Sequence, residues 1–360
     1  MASTQTILLS PAELAYLHDS LSLTPPIRPD GRKPDQFRPL TAETGVLPGT
    51  NGSARVCFSD GTEAMVGIKA EIERTRNMAQ FEAEASQSGE QQDRDGADIS
   101  DVRACSEWVE ISIEIPGYRD DESSTIFLAS MLSEALVADG SFVKKLAING
   151  RFHWKLYLDI LLISTPLSYP LPLLSLTTHL ALLAARVPKL ISEGDEDPMF
   201  NDDWNAAISL YSDTTEGMSP PITLLVISVG NNIIFDPSQE ELAVAETALA
   251  ISVAEHKHKL SQNSSDRDIR LLAVRTVDPP SRLTPPGVAN TENTAVAGNA
   301  VPVAKKSLAR ENMGKPEPGV WRAPQGGARF GLLEKIITKV MEKGGVVDEV
   351  LDGLAGVDLS

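Results

Sequence analysis

The chain has 360 residues, of which 42% are apolar, and its 32 basic against 50 acidic side chains give a formal charge of −18. That length and apolar share can fill one large core or two joined ones, which excludes a disordered polymer. An isoelectric point near 4.7 excludes a protein that coats nucleic acid or anionic membrane over its whole surface, because such binding needs clustered Lys and Arg; a local basic groove stays compatible.

Met1 to Leu9 lacks the basic start and apolar run of a secretory signal, so no export is expected. Ser10-Pro11-Ala12-Glu13 reads as a capped helix start, and a helix to about Ser22 is predicted. After the extended Thr24-Pro25-Pro26, Asp60-Gly61 joins a hairpin of Arg55–Ser59 and Glu63–Ile72, with Ala64, Val66, Ile68, Ala70 and Ile72 on one face. Residues 82–101 are polar and acidic and read as an insertion. Val109, Ile111, Ile113 and Ile115 then alternate with polar residues as a strand, and a helix over about 123–138 follows.

His153 to Ser164 is nearly all apolar and is expected as a strand covered on both faces. Ile160 to Ala185 contains no Asp, Glu, Lys or Arg, yet Pro166, Pro170 and Pro172 break it, alongside Ser, Thr and His residues; strand, turn and buried helix are expected, with no membrane span. A second acidic insertion covers 193–219. Ile222–Val229 and Ile233–Phe235 form a hairpin, Ser238-Gln239-Glu240-Glu241 caps a helix running to about His256 with Leu242, Ala245, Leu249 and Val253 along it, and Ile269–Val277 is a last strand. Asp278 to Ala328 reads as linker, and Leu333, Ile336, Ile337, Val340 and Met341 form the stripe of an amphipathic tail helix ending at Gly344-Gly345. The expected class is α+β, with strands then helix twice over in two related halves.

Cys57 and Cys105 match no metal or redox spacing and read as reduced, buried thiols. No phosphate loop, dinucleotide fingerprint or zinc-protease motif occurs. His256-Lys257-His258 reads as a surface helix end and His153 and His179 as hydrogen-bonded core histidines; Met65, Met78, Met131 and Met341 read as packing residues.

Three stretches in order, Arg28-Pro29-Asp30-Gly31-Arg32 with Phe37-Arg38, Asn51 to Val56 leading into Met65 to Ile72, and Trp154 to Leu161, are similar to the RNase PH-like ring subunits of the RNA exosome. A fourth, Phe235-Asp236-Pro237-Ser238 before Glu240-Glu241, resembles the strand-to-helix turn of that family's second half. The likeness covers roughly residues 10–277. It implies an RNase PH-like fold with duplicated β-β-α-β halves of the ribosomal protein S5 domain 2 type: an N-terminal helix and arm over 1–27, halves at 28–187 and 188–277, a linker over 278–328 and a helical tail over 329–360. It implies partners as well: other ring subunits, S1/KH-type caps, a docked processive nuclease and RNA, in the nucleus, nucleolus and cytoplasm.

Active relatives cleave RNA with inorganic phosphate, using a cationic, amide-lined cradle and two aspartates six residues apart after that turn. Counted without gaps, those aspartates correspond to Leu242 and Ala248. The phosphate-cradling run is reduced to Asn149-Gly150-Arg151, and an Asp-Ala pair aligns with Pro172-Leu173. A subunit that kept the fold and lost the chemistry is therefore expected, with no cofactor. The competing readings are an active phosphorolytic exoribonuclease using Glu241 or Glu246, both otherwise on a solvated helix face, and an adaptor whose insertions and tail recruit proteins. For RNA contact the candidates are Arg119, Lys144, Lys145 and Arg151, against an ordinary role as surface cations.

Overall fold

The computed structural model describes residues 9–75, 106–119, 121–138, 140–192, 194, 196–211, 217–257, 267–287 and 319–359. The first insertion, Cys105, Met78 and His258 lie outside the described residues, as does most of the expected linker.

Helix α1 (Pro11–Ser22) starts at the predicted capping box, with the Ser10 hydroxyl accepting from the Glu13 amide and the Glu13 carboxylate reaching back to the Ser10 amide. Strands β1 (Leu40–Thr44), β2 (Gly52–Phe58), β3 (Glu63–Arg74), β4 (Val109–Glu114) and β5 (Phe152–Leu162) make one sheet in the order β1-β2-β3-β5-β4. Only the β4–β5 pair is parallel, and helices α2 (Ser123–Val137) and α3 (Ser141–Lys145) lie in the crossover between them. Gly61, at φ 86°, makes the predicted β2–β3 turn in the left-handed region that glycine enters without a steric cost.

After β5 comes α4 (Leu171–Ala184) and then the second sheet, built from β6 (Ile222–Val229), β7 (Asn232–Phe235), β8 (Thr247–Lys257) and β9 (Asp268–Val277) in the order β7-β6-β8-β9. Helix α4 packs on β2 and β3 on one side and on β6 on the other, and α2 touches β4, β6 and β9. The two helices thus form a layer between the sheets, and Leu171 through Leu182 are buried around the whole circumference of α4. Gly52 permits the closest approach: a Cβ there would fall 2.6 Å from the Ala181 carbonyl oxygen and 2.6 Å from the Ala185 Cα. The charge-free stretch is therefore strand end, proline turn and core helix, as expected. Among the described residues no helix is long and apolar enough to cross a membrane.

Several expectations change. Strand β5 is fully covered on one face, where Trp154, Leu156, Leu158, Ile160 and Leu162 are buried; on the other His153 is buried, Lys155 and Tyr157 are half-buried and Asp159 and Leu161 are exposed. The strands buried on both faces are β6, along its whole length, and most of β8. The helix expected to reach His256 lasts one turn, α5 (Gln239–Leu242), after which the chain becomes β8. A central strand is apolar on both faces, so its sequence contains the helical spacing as a subset, and the β-branched Thr247, Ile251 and Val253 favour the extended form.

Part of the second insertion is ordered as an arm, in which Arg186–Val187 pair with Ile208–Ser209 and Leu190 bridges Phe200. The described end of the expected linker packs on the body: Trp321 is buried, its indole N–H donates to Thr284 Oγ1 at 2.7 Å, and Thr247 donates to the Gly327 carbonyl. The tail has two helices, α6 (Phe330–Val340), carrying the predicted stripe, and α7 (Val346–Ala355). Both dock on the same body, with Ile336, Val340, Val347 and Leu351 buried and Arg267 paired to Asp352 at 2.6 Å. Cys57 is half-buried rather than buried. Met131 is buried, and Met341 packs against the core.

Candidate nucleic-acid interface

The arginines of the first motif do not reach outward. Arg28 is buried and makes five hydrogen bonds: Nε and Nη2 to the two Glu241 oxygens at 2.7 and 2.8 Å, and three to the carbonyls of Lys33, Phe235 and Asp236. Its five N–H donors suffice for these five bonds, and the pair with Glu241 is bidentate. Asp236, also buried and at φ 47°, accepts from Arg32 Nη1 at 2.8 Å and from Arg38 through its amide, Nε and Nη2 at 3.0, 2.9 and 2.7 Å. The strand-to-helix turn of the second sheet is thereby fastened to the N-terminal arm. Sequence reading marked both motifs and missed that they bond each other; opposite charges at two separated motifs were the available signal.

Glu241 is consequently not on a solvated face. It is fully buried, and its second role is to accept the Ser238 amide in the capping box at 2.8 Å. Glu246 is half-exposed and accepts from His18 Nε2 and from the Gly230 amide, each at 3.1 Å. The His18 hydrogen bond holds its carboxyl below the usual range, outweighing partial burial, with help from the Gly230 amide and the charges of His18 and Arg329. At the two expected aspartate positions the side chains face the core: Leu242 is 4% exposed and Ala248 0%. Pro172 and Leu173 lie in the buried first turn of α4. Asn149 uses its side-chain oxygen to close a turn on the amides of Arg151 and Phe152.

The four candidate cations separate into two places. Lys144 and Lys145 end α3, and Arg151 immediately precedes β5. Lys145 Nζ stands 4.1 Å from the centre of the Tyr211 ring, which stacks on Phe142, and Arg151 pairs with Asp197 of the acidic arm at 3.3 Å. Arg119 follows β4, whose last residue Glu114 lies beside Leu161 near the far end of β5. It is highly exposed and pairs with Asp121 at 2.8 Å. Because β4 runs parallel to β5, Arg119 sits at the opposite end of the sheet from Arg151.

The histidines divide as follows. His153 is buried, stacked on Trp108 at 4.1 Å and hydrogen-bonded to the Thr75 hydroxyl at 2.9 Å; burial lowers its pKa. His179 is buried in α4 and donates from Nδ1 to the Pro220 carbonyl at 2.8 Å, and burial pushes its pKa down to about 4. Both are the core histidines expected. His256 lies on a strand rather than at a helix end, because β8 replaces the expected helix.

A family model described as the 3′ exoribonuclease family, domain 1, matches residues 36–188. The exosome complex component RRP42 of Saccharomyces cerevisiae is 34% identical over 250 residues, covering 68% of this chain and 81% of the relative. The corresponding exosome complex component of Schizosaccharomyces pombe is 33% identical over 261 residues, covering 68% and 78%. A chain of an archaeal exosome core has 20% identity and a TM-score of 0.46, covering 73% of this chain and 84% of that one. The chain belongs to the RNase PH-like family of 3′ exoribonuclease-type proteins. Within that family its similarity is to the Rrp42 exosome components of the two yeasts.

Proposed function

We propose that this chain is a non-catalytic RNase PH-like subunit of an RNA exosome ring, forming part of the channel through which RNA passes for 3′ to 5′ degradation and ribosomal RNA processing. The kinship with the Rrp42 components supports ring membership. The observation that carries the loss of chemistry is the burial of Leu242 and Ala248 where active relatives are expected to hold aspartates: neither side chain can bind a metal or move a proton, and neither faces solvent. Glu241, adjacent to Leu242, is held by Arg28 on both oxygens and is fully buried, so it does not face a substrate.

On this reading the chain contacts other ring subunits, S1/KH-type caps and a docked processive nuclease, in nucleus, nucleolus and cytoplasm. Lys144, Lys145 and Arg151 meet RNA phosphates as a group, and Arg119 meets them separately from the other end of the first sheet. The test incubates the purified chain, alone and with its ring partners, with RNA and orthophosphate. No nucleoside diphosphate traceable to this chain is expected; release abolished by Glu246→Gln would overturn the reading in favour of an active phosphorolytic exoribonuclease. For RNA contact, Lys144→Glu with Arg151→Glu should weaken crosslinking of channel RNA to this subunit and leave ring assembly unchanged.

A further inference from the structure

The Trp321 to Arg329 strap leaves a cleft of about 960 Å³ between itself, the start of α6, the Gly230-Asn231 turn and His18 of α1. The ionisable residues lining it are His18, Glu246, Arg322, Arg329 and Lys335. Three permanent cations and one carboxylate thus line it, with Arg322 already engaged in an interaction of its own, on a chain whose formal charge is −18. That carboxylate is already occupied by His18 and the Gly230 amide. Arg329 acts on it through its field, and among the described residues Lys335 has no ion-pair partner. Pro324 and Leu332, both partly exposed, supply an apolar wall in the same cleft.

Cations gathered on a concave surface focus a positive potential, and an apolar wall beside them suits a ligand with one charged and one flat apolar part. The volume falls in the range of small-molecule sites, roughly 300–1,000 Å³, which favours a compact phosphate ester over an extended acidic peptide. We propose that this cleft binds a nucleoside phosphate, free or as the phosphorylated end of an RNA strand, with its phosphates on Arg329 and Lys335 and its base against Pro324 and Leu332. The site shares no residue with the four candidate channel cations, so its failure would leave the ring reading untouched.

The experiment titrates the purified chain, with ring partners where solubility requires them, with a fluorescent ADP analogue. Unlabelled ADP, inorganic phosphate, a 5′-phosphorylated and a 5′-hydroxyl tetranucleotide and an oligoglutamate peptide serve as competitors. Saturable binding is expected, displaced by ADP or by the 5′-phosphorylated strand; whichever competes better identifies the source of the phosphate. The exposed positions Arg329 and Lys335 tolerate replacement, so Arg329→Glu with Lys335→Glu should weaken binding at least tenfold, about 1.4 kcal/mol, with an unchanged melting temperature. The single alanine variants should each weaken it several-fold. Absence of saturable binding, binding unaltered in the variants, or equal displacement by oligoglutamate would overturn the proposal.

Discussion

A guanidinium with every N–H donor engaged inside a protein is held by geometry as much as by charge. Removing one partner of a buried ion pair leaves the other charge uncompensated, at a cost of about 3–5 kcal/mol. Glu241→Gln should lower the unfolding free energy measured by denaturant titration by that amount, whereas Glu240→Gln, one residue away and outside the clasp, should change it by no more than about 0.5 kcal/mol. His179 gives a second residue-level signature. Its pKa is about 4 in the folded chain against about 6.5 unfolded, so the unfolded chain takes up the proton first as pH falls. Its contribution is complete above pH 6.5, declines through the interval between the two values and is exhausted below about 4. His153, shifted in the same direction, adds to this decline. Denaturation across that interval should show the loss, and His179→Gln should reduce the slope. The motif arginines were legible in the sequence, but their partners lie some 200 residues away and no local pattern records that distance.

At the scale of elements, legibility followed the contrast between wet and dry faces. Hairpin β2–β3, strand β4 and helix α1 each carry a turn, cap or alternation that the sequence displays openly. Strand β8 does not, because neighbours on both edges and cover on both faces erase its alternation. The same burial decides what restoring an acid would do. Ala248→Asp places a carboxylate where no water reaches, so the expected result is a destabilisation of several kcal/mol and no gain of phosphorolysis. A melting curve alongside an assay for released nucleoside diphosphates checks both halves of that statement; a stable, phosphorolytic variant would contradict it. Helix α7 escaped notice because the Gly344-Gly345 pair reads as an end, although Val346, Val347, Val350, Leu351 and Leu354 continue a buried face beyond it.

The whole molecule is a sheet, a helix layer and a second sheet, tied at one side by the arginine clasp and at another by the docked tail. Large apolar side chains nevertheless remain outside: Leu161 and Ile163 at the end of β5 are 42% and 43% exposed, and Ile126 on α2 57%. A ring subunit would cover such positions against neighbours, each stable interface removing about 1,600 Å² from water. Expression with ring partners should therefore raise the soluble yield and give a complex of defined mass, whereas equal yield and a monomer in both cases would count against assembly. The overall class was readable from motif order. The way the halves share one helix layer was not, since α4 declares itself only as an apolar run with no face left for solvent.

The clasp also sets an order of events at the ribosome. Arg28 emerges 213 residues before the carboxylate that receives it, and Arg38 198 residues before Asp236. Throughout that interval Arg28, Arg32 and Arg38 have only the nearby Asp30 and Asp60 for partners, and the rest of their donors must stay hydrated. The N-terminal arm can thus be fastened only once Glu241 has been made, ahead of the tail that docks after it, and a pause in translation before Phe235 should leave the arm open to solvent.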